Sequence, residues 1–105
     1  MIDISPHKVV HVIFQARRER GGEGPLRAFI EGLNEDEQAH LTAVAWVGRG
    51  AFEASDYADA VATAFSEKST PTADYLMGMP HLSQNLEAGL EALGIDVTDV
   101  EEDFL

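Results

Sequence analysis

Four histidines, a surplus of carboxylates and one arginine set between two glycines are the groups in this chain that could do chemistry. His7 and His11 stand four residues apart, so on a helix both imidazoles reach toward one point. Two imidazoles fall short of the three or four ligands that zinc takes. His40 and His81 would have to converge from distant segments, and solvated helix histidines are the simpler expectation. The chain has no cysteine, which removes disulfides and thiolate metal sites. Ser55, Ser66, Ser69 and Ser83 occupy caps or polar positions, and none sits in a Gly-x-Ser-x-Gly elbow. Glu87 and Glu91, one turn apart, read as a solvated helix face rather than a proton-sharing pair. No catalytic residue, metal or cofactor is expected.

Arg49 is the side chain with most scope. Gly48-Arg49-Gly50 is no phosphate loop, which needs a longer glycine-rich run ending in Lys-Ser/Thr and opening a helix. Here the glycines close one. Arg49 is one of two cations after Arg27. It is expected to pair with a carboxylate such as Asp74 or to cap helix carbonyls, with ligand binding as its alternative use. Beyond Asp74, the residues Tyr75, Met77, Met79 and Pro80 form an aromatic–methionine elbow. Methionine adapts to irregular contacts, so this elbow, if exposed, is the preferred partner surface. Lys8, His11, Arg17, Arg18 and Arg20 make a small basic patch. In so acidic a chain it is a weak nucleic-acid footprint. It is expected to neutralise acids of its own chain or of a second copy.

The elements that must position these groups are helices. Ser5-Pro6 reads as an N-cap followed by proline in the first helical position. The run to Arg20 puts Val9, Val10, Val12, Ile13, Phe14 and Ala16 on one side, with polar residues one turn apart on the other. Gly21-Gly22-Glu23-Gly24 is a break, and Pro25 then opens a helix with Leu26, Phe29, Ile30 and Leu33 as its stripe. Asn34 and Glu37 have capping-box spacing. They begin a helix through Leu41, Val44, Trp46 and Val47, whose last turns are apolar on nearly every side. Such a helix is surrounded by neighbours, and Gly48 or Gly50 ends it. Ser55 is expected to cap a fourth helix with Tyr57, Val61, Ala64 and Phe65 as its stripe. Thr70-Pro71 starts a short helix over 72–77, which Gly78 stops, and Pro80 opens a longer one. Leu82, Leu86, Leu90 and Leu93 line that last helix, and Gly94 and Ile95 fit a left-handed, Schellman-type end. Gly89 within it predicts close packing by another helix backbone. The tail over 96–105 carries five acids and either docks or frays.

These signals predict one all-α domain over 1–105, a compact bundle of five to six short helices around the Trp46 helix, with its core in 5–95. Apolar content of 45% fits a globular fold. No stretch approaches the ~20 apolar residues of a membrane span. The N-terminus, with its basic residues after rather than before a broken apolar run, is no signal peptide. These points suggest a cytoplasmic protein that does not engage membranes. The net charge is −12, and it is uneven. Residues 1–27 hold five Lys/Arg against three Asp/Glu, and residues 28–105 hold two against sixteen. An acidic body repels phosphates, so nucleic acid is an improbable partner.

Two motifs together resemble a known family. Trp46, Gly48, Arg49, Gly50 and Phe52 fit a Trp-x-Gly-Arg-Gly-type turn. Asp74, Tyr75, Leu76, Gly78, Pro80 and Leu82 fit an Asp-Tyr-Leu-Leu-Gly-type helix junction. Both are similar to the bacterial domain of unknown function 3775, over roughly residues 33–94. Ala51 departs from the acidic residue common there. The resemblance implies a small helical domain and no established activity, cofactor or catalytic residue.

The functional expectation is therefore a protein-interaction or regulatory module, with a protein partner or a homodimer. A small-ligand binder or enzyme using Arg49 with nearby carboxylates is the alternative. An acidic mimic of nucleic acid is the remote one.

Overall fold

The computed structural model describes residues 2–18 and 23–95, with Arg18 and Glu23 described by their backbone alone. Arg20, the Arg18 side chain, the Gly21-Gly22 break and the acidic tail over 96–105 lie outside the described residues. Among the described residues there are six α-helices and no strand. They are α1 (Pro6–Arg18), α2 (Glu23–Glu31), α3 (Glu35–Arg49), α4 (Tyr57–Ser66), α5 (Thr72–Met77) and α6 (Leu82–Ala92), with a 3-10 turn over Ala54–Asp56 before α4. None of these helices is long and apolar enough to cross a membrane.

Local signals set most of the ends. The Ser5 hydroxyl accepts from the His7 backbone N–H at 3.1 Å, the N-cap bond that Ser5-Pro6 predicts. At α3 the capping box closes both ways, Glu37 N–H to Asn34 Oδ1 at 2.8 Å and Asn34 N–H to Glu37 Oε1 at 3.0 Å. Gly50 ends α3 in the left-handed region at φ 89°. The Ala51 and Gly50 N–H groups donate back to the Trp46 and Val47 carbonyls at 2.9 and 3.1 Å, a Schellman end. Gly94 repeats the device after α6, where the Ile95 N–H reaches the Leu90 carbonyl at 2.9 Å.

Three ends differ from expectation. Helix α2 begins at Glu23, so Pro25 lies inside its first turn, where a missing N–H has no helical partner to lose. Ser55 is no N-cap but part of the 3-10 turn, and no side chain caps α4. Helix α6 starts at Leu82 and not at Pro80, because His81 takes a left-handed backbone at φ 58° to reverse the chain.

Helix α3 is the hub. Ala39 to Ala45 and Val47 are all buried, while Trp46 itself is half-exposed at the edge. Helices α6 and α4 pack most extensively on α3, and α1 packs on α6 and α2. Val9, Val10, Val12 and Ile13 of α1, Leu26 and Ile30 of α2, and Leu86 and Leu90 of α6 complete the core. Leu82 and Leu93 are buried with them, so the leucine stripe of α6 is core throughout. In α4, Tyr57 and Ala60 are buried but Phe65 is 45% exposed. Phe65 lies about 80° round the helix from Tyr57, beyond the narrow strip that α3 covers.

The α3–α6 contact is backbone on backbone. A Cβ on Gly89 would lie 2.1 Å from the Val44 carbonyl oxygen, so the predicted close approach is there. A Cβ on Gly48 would lie 1.7 Å from the Asn85 carbonyl oxygen. Gly48 is thus no terminator. It is the α3 half of a reciprocal contact that admits only hydrogen at both positions.

A buried polar cluster ties the N-terminal segment to this hub. The Asp3 N–H donates to His40 Nδ1 at 3.2 Å, and the Tyr57 hydroxyl lies 2.6 Å from the same nitrogen. With two donors facing it, Nδ1 is an acceptor and the ring proton sits on Nε2, 3.6 Å from Asp3 Oδ2. Burial lowers the His40 pKa, against the opposing pull of the Asp3 and Asp36 carboxylates. Burial also raises that of the Tyr57 phenol.

Two predictions follow from this packing. Ala at Gly48 or Gly89 gains ~1 kcal/mol of helix propensity, but the backbone clash costs ~3 kcal/mol or more. Denaturant unfolding should show a strong net loss for either variant. Gly24→Ala, which meets nothing within 4 Å, should unfold at or slightly above the wild-type midpoint. Neutral Gly48→Ala and Gly89→Ala would contradict the contact. The second prediction concerns pH. The folded pKa of His40 lies below its ordinary 6.5, so the unfolded chain binds the extra proton first. Stability from this cluster is full above 6.5 and is lost as pH falls toward the folded pKa. Thermal melts from pH 7.5 to 5 should show that loss, and His40→Gln should flatten it.

Candidate functional site

One side of α3 forms the floor of a groove, in which Ala39 and Thr42 are nonetheless buried. Glu35, Gln38, Ala39, Thr42 and Trp46 succeed one another along that face at helical spacing, and the end of α4, the 67–71 loop and α5 form the walls. The groove holds two adjoining cavities of about 220 and 170 Å3 that share Thr42, Ala64, Lys68 and Thr72.

Trp46 and Tyr75 close one end. Trp46 Nε1–H donates to the Tyr75 hydroxyl at 2.7 Å, and the rings meet edge to face with centroids 6.2 Å apart. Phe52 stacks on Trp46 at 5.7 Å. At the other end stands Phe65. Phe65 and Tyr75, 45% and 37% exposed, are the two large apolar side chains most open to solvent among the described residues. Both border this groove.

The floor is polar where a core is usually apolar. The Thr42 hydroxyl donates to the Gln38 carbonyl at 3.0 Å and keeps its lone pairs free. Thr72 is only 8% exposed, and among the described residues its hydroxyl has no hydrogen-bond partner. Lys68 and Glu67 stand on the rim, and neither has an ion-pair partner among the described residues.

The residues singled out from sequence do not form one site. Asp74 pairs with Arg27 of α2 and not with Arg49, because α5 turns this side chain toward α2. Arg49 is exposed at the end of α3, has no ion-pair partner among the described residues and lines neither cavity. Tyr75 faces the groove, whereas Met77 and Met79 lie on the other side of the elbow. There they border a third cavity of about 240 Å3 with Ala16, Leu26 and Leu82. Met79 is buried and Pro80 exposed, so the elbow is not a continuous surface.

Among the described residues of the basic patch, Lys8, Arg17 and His11 are engaged within the chain. Lys8 Nζ sits 2.5 Å from Glu37, whose carboxyl is held below its ordinary pKa chiefly by that bond. Arg17 pairs with Glu87 and lies over the Phe14 ring, and the His11 ring packs on Phe29 at 4.3 Å. Among the described residues no three His, Cys, Asp or Glu gather to hold a metal.

Sequence reasoning passed over Thr42, Lys68 and Thr72. Two signals pointed to them. One was a lone threonine in the otherwise apolar stretch 41–47. The other was the hydroxyl-rich run Lys68-Ser69-Thr70-Pro71-Thr72 beside the only cation of the body other than Arg49.

The family model described as "Protein of unknown function (DUF3775)" matches residues 23–95, from the start of α2 through the Schellman end of α6. No curated protein and no solved structure matches the chain.

The groove geometry makes Trp46, the single tryptophan, its own reporter. Tyr75→Phe removes the acceptor of the indole N–H and should cost about 1 kcal/mol or less at this half-exposed site. Tyr75→Ala should also open the end wall and shift Trp46 emission to the red. An unchanged spectrum in Tyr75→Ala would mean that the two rings do not meet.

Proposed function

The chain belongs to the DUF3775 family of proteins of unknown function, and from that premise we propose that it is a protein-interaction module of the bacterial cytoplasm. Its partner-binding face is the groove between α3 and the α4–α5 walls. The observation that carries this reading is the placement of Phe65 and Tyr75. Among the described residues these two are the large apolar side chains most open to solvent, one at each end of a single groove, with Trp46 beside one of them. Aromatic side chains flanking a concavity are the usual anchors of protein interfaces.

Charge selects the partner. The three ion pairs Lys8–Glu37, Arg17–Glu87 and Arg27–Asp74 consume cations of α1 and α2. Glu35 and Glu67 border the groove beside Lys68, and Asp36, Glu53, Asp56 and Asp59 lie at the starts of α3 and α4. None of these six has a cation within pairing distance among the described residues. A basic segment carrying apolar side chains is the complementary ligand, steered by the long-range field. The self-association in which the first helix of one copy meets the body of another loses support, since Lys8 and Arg17 are already engaged.

Photo-crosslinking residues placed at Phe65 and at Glu67 in living cells test this. Both should yield the same discrete adduct with one basic protein. Tyr75→Ala should reduce that adduct, and salt should weaken the complex in vitro. Placement at Glu91 on α6, outside the groove, should yield no such adduct. Equal adducts from Glu91, or none from the groove positions, would sink the proposal.

A further inference from the structure

The larger cavity has a donor and acceptor pattern of its own. Thr72, a residue only 8% exposed, lines this cavity, and its hydroxyl has no hydrogen-bond partner among the described residues. A hydroxyl in that position is costly to leave unsatisfied. Tyr75 accepts from Trp46 Nε1, so its own O–H is free to donate. Thr42 donates to the Gln38 carbonyl, so its oxygen is free to accept. On the rim, Glu67 and Lys68 carry opposite charges on adjacent residues and pair with nothing among the described residues. The remaining wall is the Trp46 and Tyr75 rings and Ala64, with Ser69 and Thr70 of the 67–71 loop.

We propose that this cavity, formed by Thr42, Trp46, Glu67, Lys68, Thr72 and Tyr75, binds a free α-amino acid with an apolar side chain. The ligand carboxylate takes the Lys68 ammonium and the Thr72 and Tyr75 hydroxyl protons. Its ammonium group goes to the Glu67 carboxylate and the Thr42 oxygen. Its side chain lies against the two aromatic rings.

Three considerations single out this class. A cavity of about 220 Å3 is below the ~300 Å3 at which drug-sized pockets begin, and it suits a molecule of a few carbon atoms. A bare anion would be opposed by a chain of net charge −12, and a bare cation would meet Lys68 at the rim. A zwitterion is neutral as a whole and satisfies both rim charges at once. The amino acid occupies part of the groove proposed above for the partner segment, but its test uses this chain alone, so the two readings fail separately.

Trp46 emission and thermal shift of the purified protein, titrated with L-leucine, L-phenylalanine, N-acetyl-L-leucine and L-leucinamide, decide it. At least one of the two free amino acids should change the emission saturably and raise Tm. Blocking either end of leucine should weaken binding by about tenfold or more, the loss of one charge-assisted contact. Thr72→Val keeps the shape and removes the hydroxyl. It should melt at or above the wild-type Tm, since it deletes an unsatisfied buried group, yet bind the amino acid about tenfold more weakly. Lys68→Ala, on the surface, should fold normally and also bind weakly. The proposal fails if neither amino acid binds at millimolar concentration. It fails if N-acetyl-leucine binds as well as leucine, which would make this an anion site, or if leucinamide does, a cation site. It fails too if Thr72→Val binds like the wild type.

Discussion

Two glycines let the backbones of α3 and α6 touch, and the rest of the molecule is arranged around that contact. Gly48 faces the Asn85 carbonyl and Gly89 faces the Val44 carbonyl, at separations where no Cβ fits. Pressing two helices together this closely sets their crossing along two turns of each. It also directs Val44 of α3 and Leu86 and Leu90 of α6 into a shared core, where all three are fully buried. With α6 fixed on one side of α3 and α4 on another, the face running from Glu35 to Trp46 is bordered by the end of α4, the 67–71 loop and α5, which leave a groove along it. The groove is thus a consequence of how the central helix is gripped.

Electrostatics then divides the surface. A chain of net charge −12 destabilises itself by repulsion unless its few cations are well used. Lys8, Arg17 and Arg27 are each set against an acid of a later element, tying α1 to α3 and α6, and α2 to α5. Exposed pairs of this kind contribute little stability individually. Their larger effect is on distribution, because neutralising one side leaves the acid excess around α4 and the groove.

Much of this was legible in the sequence wherever one turn of helix contains the whole signal. The Asn34–Glu37 box, the left-handed Gly50 and Gly94, the Thr72–Met77 helix with Gly78 behind it, and the leucine stripe of α6 each lie within a single short segment. What was not legible needed a partner far along the chain. Gly48 looked like a helix stop because a glycine near a C-terminus usually is one, and only Asn85, 37 residues away, reveals its other use. Gly89 lay in mid-helix, where no terminator role competed, and its packing role was plain. Arg27, not Arg49, meets Asp74 because α5 presents Tyr75 to the end of α3 and Asp74 to α2, a fact of topology that no spacing encodes. Phe65 sits at a stripe position by count yet falls outside the strip that α3 covers.

Thr42 and Thr72 mark where the two levels of the structure disagree most usefully. A fold built only for stability would fill these buried positions with valine, which has the same shape and no polar atom to satisfy. Thr42 meets the difficulty locally by donating to the Gln38 carbonyl one turn back, a bond open to any helical threonine. Thr72 has no such outlet. It is the first residue of α5, so no helical carbonyl lies one turn before it, and it lines the cavity. Sites that depart from local consistency without compensation from their own fold are where function is expected to concentrate. By that criterion the polar wall of the groove, rather than the conspicuous Gly48-Arg49-Gly50 turn, is the part of this surface shaped for something other than folding.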